Sequence, residues 1–214
     1  MSIPEVVKGR GIQEVVHFTT SPGLLGILDA GVVLSRPRVR EEQRLEFIVE
    51  LNCPILKDPA WADYVNLSIS EINNDLFQIS ATRWHPDLWW AILAFDPTIL
   101  SHGDVFFTTT NNIYPAVLRG TGEAALEAMF AGRVAGKYAQ PMDRWPGMPP
   151  YLTTDERAEV LYPRQLSVDH LKRIYVSTVE HEDAVHAHLG LVGRKAIPVT
   201  ADPQRFLPRK TGQL

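Results

Sequence analysis

One cysteine, Cys53, is all the chain has, so no internal disulfide forms and the usual thiolate-rich zinc cage has no ligands to draw on. That usage suits a reducing compartment. No apolar run approaches the roughly 20 residues needed to cross a bilayer, and Met1 to Gly11 lacks the apolar centre of a signal peptide. The expectation is therefore a cytoplasmic protein with no membrane association. An excess of positive charge is missing too. Lys and Arg number 21 against 25 Asp and Glu, a net charge of -4, which excludes wholesale electrostatic capture of nucleic acid and leaves room only for a local basic patch. No period of about 20 to 50 residues repeats and no segment is of low complexity, which argues against solenoids and propellers. Gly23, Gly26 and Gly31 do not form the G-x-G-x-x-G dinucleotide fingerprint, and no H-E-x-x-H pattern occurs, so neither a Rossmann site nor a metalloprotease-type centre is expected.

What the chain does have is 45% hydrophobic residues spread over 214 positions, enough for one domain, with a core from about residue 13 to 200, that buries roughly 70% of its unfolded surface without a staple. Gln13 to Phe18 collects β-branched and aromatic residues before a turn signal and reads as a strand. Ser21, followed by Pro22, is the expected N-cap of a helix that carries Leu24, Leu25, Ile27 and Leu28 and stops at Gly31. Val32 to Leu34 is extended, and Arg36 to Leu51 has the spacing of a helix polar on one side. Tyr64 to Ser70 alternates with the period of a half-buried strand, whereas Trp89 to Phe95 is nearly all apolar, as a doubly covered strand must be. Val105 to Thr108 is a further strand, Thr121 to Phe130 a helix. The prolines and glycine of Pro141, Pro146, Gly147, Pro149 and Pro150 imply a long irregular loop from Gly132 to Leu152. Ala158 to Tyr162, Lys172 to Ser177 and Lys195 to Val199 read as strands and Glu180 to Leu189 as a helix. Strands interrupted irregularly by few helices favour an α+β fold.

Several side chains carry chemistry. His17 lies at a strand end before a helix N-terminus that would face a phosphate or ribose, although on position alone an ordinary surface histidine at a strand-turn junction is the commoner case. Glu159 is a carboxylate on a short apolar strand, so it is either paired or functional, or it sits solvated at a sheet edge. Arg36, Arg38, Arg40 and Arg44 concentrate guanidinium groups that suit bidentate phosphate contacts, diluted by Glu41, Glu42, Glu46 and Glu50 into what is commonly a solvated helix face. His181, His186 and His188 are assigned to the surface, with no metal expected. Trp84, Trp89 and Trp90 are core residues, Trp84 being the one whose neighbours Arg83 and His85 allow exposure.

In order along the chain, four of these segments resemble the DarT family of DNA ADP-ribosyltransferase toxins. They are His17-Phe18-Thr19 with Leu24 to Gly31 and Leu34, Asp63-Tyr64-Val65, Val105 to Thr109, and Ala158-Glu159-Val160-Leu161. The likeness runs from about Val15 to Val199. It implies an ADP-ribosyltransferase-like split, mostly antiparallel β-sheet core with flanking helices, and an enzyme that moves ADP-ribose from NAD onto a base of single-stranded DNA and releases nicotinamide. Thymine and guanine both remain open as the modified base. By the same resemblance His17, Phe18, Thr19, Gly26, Leu34, Arg44 and Tyr64 contact NAD, and Glu159 is the catalytic glutamate with Arg44 beside it, Arg38 and Arg40 being rivals. Tyr138, Arg144, Trp145, Tyr151 and Arg157 line the strand-presenting loop. NAD is a co-substrate, no metal is implied, and a neutralising partner such as an ADP-ribose-removing hydrolase is expected for a toxin of a toxin-antitoxin or phage-defence system. Ser68-Ile69-Ser70 is similar to the Ser-x-Ser strand of arginine-type enzymes that modify proteins, so RNA or protein acceptors, or a binding module without catalysis, stand as alternatives.

Overall fold

The computed structural model describes residues 2–39, 59–194 and 196–209. Twelve strands are set out in order: β1 (Val15–Thr20), β2 (Val32–Leu34), β3 (Tyr64–Ile69), β4 (Trp90–Phe95), β5 (Phe106–Thr108) and β6 (Arg119–Gly120), then β7 (Arg133–Ala135), β8 (Pro141–Asp143), β9 (Val160–Pro163), β10 (Gln165–Ser167), β11 (Leu171–Val176) and β12 (Val199–Ala201). Five α-helices stand among the described residues: α1 (Ile3–Arg10), α2 (Ser21–Ala30), α3 (Asn74–Ile79), α4 (Gly122–Ala128) and α5 (Val179–Leu191). Eight strands form one sheet in the order β12-β11-β4-β1-β3-β9-β5-β6. Its pairings are antiparallel except β11 with β12. This is the α+β architecture that the irregular strand and helix order implies.

Beside β1 in the interior of the sheet runs β4, whose six residues are all buried because both faces are covered. Leu93, Phe95 and Val15 face one core, built with Leu24 and Leu28 of α2, Leu126 of α4 and Leu189 of α5. Val16, Ile92 and Ala94 face a second, smaller core with Phe77 of α3, Tyr175 and Phe206. The alternation of β3 is regular, with Val65, Leu67 and Ile69 buried and Tyr64, Asn66 and Ser68 half-buried.

One irregularity shapes the molecule. β1 pairs with β4 along its whole length, from Val15 opposite Phe95 to Thr20 opposite Trp90. With β3 it pairs only at Val15 opposite Ile69 and Val16 opposite Ser68. Beyond Val16 the two central strands part, and β3 continues instead against β9, Tyr64 opposite Pro163 through Leu67 opposite Val160. The sheet is split at this point.

Local expectations need correction in five places. The cap of α2 is Thr20, whose side chain accepts from the Gly23 N–H, and Ser21 is already helical; Pro22 and the left-handed Gly31 (φ 74°) bound the helix as expected. Between Gly132 and Leu152 the chain is not wholly irregular, because β7 and β8 pair as a hairpin, Arg133 opposite Asp143. The helix near Thr121 is regular only as far as Ala128. The last strand begins at Val199 rather than Lys195, where it meets Ile174 of β11. His85 is 4% exposed, closed in by Trp90, whereas Arg83 is exposed and Trp84 half-buried. Arg36–Arg38 is one 3-10 turn, and the remainder of the expected helix to Leu51 lies outside the described residues, as does Cys53.

Candidate active site

Glu159 immediately precedes β9, an interior strand flanked by β3 and β5, so the edge-strand reading does not hold. Its backbone is locked from both sides: the Thr108 N–H donates to Glu159 O at 2.9 Å, and the Glu159 N–H donates to Thr108 Oγ1 at 2.9 Å. The side chain is 7% exposed. Asn66 Nδ2 donates to Oε1 at 2.7 Å, and the Asn112 N–H donates to Oε2 at 2.7 Å. A carboxylate this buried needs hydrogen-bond donors at both oxygens, and β3 and the turn after β5 supply them.

Asn66 also reaches across the split. Its main-chain oxygen lies 3.0 Å from His17 Nδ1. A carbonyl oxygen only accepts, so Nδ1 carries the proton. His17 on β1 and Glu159 before β9 are thus joined through one asparagine at the place where the sheet opens. Asn66, Asn112 and Thr108 were not among the residues singled out from sequence. The signal available was weak: an asparagine among the half-buried positions of β3, and the polar run Thr108 to Asn112 directly after an apolar strand.

The other expected NAD contacts fall into distinct surroundings. Phe18 meets Phe77 edge-on at 5.7 Å and Trp90 at 5.8 Å, as part of the second core. Thr19 is half-buried opposite Ala91. Gly26 lies on α2 where an added Cβ would meet nothing within 4 Å, so no packing contact within the protein requires glycine there. Leu34 ends β2 opposite Gln165 of β10. Tyr64 belongs to an aromatic trio with Trp61 at 5.4 Å and Phe106 at 5.9 Å. Arg38 grips Asp63 with Nε and Nη2 at 2.6 and 2.7 Å, and Ser35 Oγ donates to the same carboxylate at 2.6 Å. Those hydrogen bonds hold the Asp63 carboxyl down at about 2. Arg38 is therefore already committed to a protein carboxylate. Arg40 and Arg44 lie outside the described residues.

In the long loop the basic side chains mostly hold the loop together. Arg144 donates from Nη1 to Leu152 O at 2.6 Å and from Nη2 to Pro149 O at 2.8 Å. Arg157 donates to Asp75 and lies 3.2 Å from the fully buried Asp155, whose other oxygen accepts from Thr110 Oγ1 at 2.6 Å. Trp145 lies beneath the Arg209 guanidinium at 6.0 Å. Tyr138, in the left-handed region at φ 55°, and Tyr151 are 80% and 41% exposed. Tyr151 is tied to the end of β3 by Ser70 Oγ, which donates to its carbonyl at 3.2 Å. A cavity of about 510 Å³ opens there, lined by Val16, Ser70, Ile92, Tyr151, Glu156 and Arg205. Burial pushes the Glu156 carboxyl up, with the Asp75 charge adding to it.

Among the described residues no group of three His, Cys, Asp or Glu side chains could hold a metal ion. His188 pairs with Asp29 at 3.1 Å and His181 stacks on Trp89 at 4.6 Å.

The profile of the family described as ssDNA thymidine ADP-ribosyltransferase, DarT, matches residues 16–207. The chain belongs to the DarT family. A search of curated proteins finds no match. Among solved structures, the chain is similar to Thermosipho africanus DarTG in complex with ADP-ribose, at 20% identity and TM-score 0.62, over 91% of this chain and 51% of that one. It is similar to Thermus sp. 2.9 DarT in complex with carba-NAD+, at 13% identity and TM-score 0.64, over 91% and 98% of the two chains. A third similarity is to Thermus sp. 2.9 DarT in complex with ADP-ribosylated ssDNA, at 14% identity and TM-score 0.60, over 92% and 97%. The chain thus spans about half the length of the Thermosipho protein and nearly all of the Thermus DarT chain. The family is one of ADP-ribosyltransferases, for which NAD is the co-substrate. No helix among the described residues is long and apolar enough to cross a membrane.

Proposed function

We propose that this protein transfers ADP-ribose from NAD to a thymine base in single-stranded DNA, with Glu159 as its catalytic carboxylate. The observation that carries the reading is the Glu159 side chain itself, 7% exposed yet held at both oxygens by neutral donors at the split between β1 and β3, in a chain of the DarT family. In the transfer, the bond from the nicotinamide nitrogen to the ribose C1′ breaks and its electron pair leaves with nicotinamide. A base nitrogen of the acceptor gives up its proton and bonds C1′. Positive charge develops on the sugar as the first bond lengthens, and a fixed carboxylate beside the ribose hydroxyls stabilises it where it appears. In this reading the same carboxylate takes the acceptor proton.

NAD lies over the split in this reading, with His17 as a polar contact and Thr19, Gly26, Leu34 and Tyr64 around it, Phe18 shaping the floor through the aromatic core behind. Arg44 is proposed to face the pyrophosphate or the reacting centre, Arg38 being held by Asp63. For the DNA strand, Tyr151 and Tyr138 offer exposed rings for base stacking, while Arg144, Arg157 and Trp145 act by holding the loop in shape. A partner that removes ADP-ribose from DNA would follow from such an activity, as in a toxin-antitoxin pair. Expression of the active chain is then expected to arrest growth, and co-expression of an ADP-ribose-removing hydrolase to restore it.

The decisive experiment is incubation of the purified protein with NAD and oligonucleotides, read by intact mass. Single-stranded DNA with thymine gains one ADP-ribose, DNA without thymine gains none, and Glu159→Gln lowers the rate by on the order of a hundredfold or more while the protein stays folded. Modification of RNA or protein in preference to DNA would replace the acceptor assignment, and an active Glu159→Gln would end the catalytic one.

A further inference from the structure

A continuous chain of contacts runs outward from Glu159 on the side away from Asn66. Oε2 accepts from the Asn112 N–H at 2.7 Å. Asn112 is 4% exposed, in the turn that follows β5. Its side-chain and main-chain oxygens are both taken by one guanidinium: Arg119 Nε donates to Asn112 Oδ1 at 2.5 Å and Nη2 donates to Asn112 O at 2.6 Å. Arg119 in turn is anchored at both ends. Its backbone is on β6 opposite Thr108, the residue that locks the Glu159 main chain, and its guanidinium lies 5.3 Å over the ring of Trp61.

We propose that Arg119 is a positioning residue for the transfer reaction, acting through Asn112 to aim the N–H that holds Glu159. The inference rests on the catalytic reading of Glu159. A main-chain N–H in a turn points wherever its peptide plane is set, and a turn has no ladder to set it. A planar guanidinium that takes two oxygens of the same residue in a fork fixes that residue's orientation, which a single ammonium cannot do. Stacking on Trp61 fixes the fork in turn. The result is a carboxylate whose second oxygen is oriented from a rigid β-hairpin, β5 to β6, while its first is oriented from β3. Misplacement of a reacting carboxylate by a fraction of an ångström is costly in rate even when binding is intact. Donation to the carboxylate also favours its charged form.

Arg119→Lys keeps the charge and loses the fork. Its expected effect is a fall in kcat between roughly 10- and 100-fold, with KM for NAD changed less than about twofold since Arg119 is not placed in the NAD contacts. The acid limb of the kcat profile should move to higher pH, because a carboxylate less well donated to holds its proton longer. Asn112→Ala, which keeps the main-chain N–H and removes one of the two oxygens that Arg119 grips, should resemble Arg119→Lys. Thermal unfolding is followed on each variant. An Arg119→Lys protein with wild-type kcat and pH limb overturns the proposal. So does a lowered kcat with an unmoved limb, which is what loss of folded protein alone would produce. Glu159→Gln is run alongside: if it is active, the catalytic reading fails on its own account, and if it is inactive while Arg119→Lys is unaffected, only the positioning role fails.

Discussion

Among the described residues, two donors to the Glu159 carboxylate are asparagines in different segments, Asn66 on β3 and Asn112 in the turn after β5. A sequence reading finds the glutamate because a charge between Ala158 and Val160 is costly to bury, but it cannot pair that charge with donors about 50 and 90 residues away in the chain. His17 stands out in the sequence for a different reason, a polar ring at a strand end before a helix, while its bond to Asn66 O has no sequence signal. Removing the Asn66 amide by Asn66→Ala should cost about 1–3 kcal/mol in stability, the penalty for a buried acceptor left without its donor, measured by urea denaturation. A second residue-scale expectation concerns Tyr175, whose hydroxyl donates to Glu14 Oε1 at 2.5 Å and whose pKa burial and that bond push up to about 12. The unfolded chain ionises tyrosine near 10. Between those values the native state must hold a proton that the unfolded chain releases, so this contribution to stability is complete below about pH 10 and is lost as pH rises toward 12. Tyr175→Phe should show a shallower loss of stability across that window in denaturation curves taken at a series of pH values.

At the scale of an element, α2 separates what local pattern decides from what it leaves open. Pro22 and Gly31 mark its ends in the sequence, and the structure places them where expected; the cap moved one residue, from Ser21 to Thr20. Two adjacent hydroxyl residues satisfy the same rule, and the choice falls on the one that β1 leaves extended, with Thr20 paired opposite Trp90. Thr20→Ala should therefore lower stability by about 1 kcal/mol and Ser21→Ala by much less, a difference readable in thermal midpoints. Gly26 gives the opposite sign. Its helical position is open, so Gly26→Ala should raise stability by roughly 0.5–1 kcal/mol while raising KM for NAD if the dinucleotide passes over this helix, and a calorimetric melt beside NAD titration checks both. The β7 to β8 hairpin was hidden by the prolines around it. Pro141 is tolerated there because β8 has an edge with no ladder to feed.

For the molecule as a whole, the loop that carries Tyr151 and the sheet that carries Glu159 are joined through Asp155. It is fully buried, accepts from Thr110 Oγ1 on the β5 side and from the Arg157 N–H, and has the Arg157 guanidinium beside it. Asp155→Ala should cost about 3–5 kcal/mol, seen as a lowered denaturant midpoint, and should blunt DNA modification more than nicotinamide release in the absence of DNA. The α+β class of the fold, the alternating and all-apolar strands β3 and β4, and the unusual setting of Glu159 among apolar neighbours follow from residue order, because they depend on period, composition and the cost of burying charge. The parting of β1 from β3 beyond Val16, the interior place of β9, the employment of Arg38, Arg144 and Arg157 within the protein, and the Arg119 to Asn112 to Glu159 chain were decided only by the tertiary structure. Each depends on which distant segments become neighbours, and a hydrogen bond or an ion pair has no signature in either partner until the fold brings the two together.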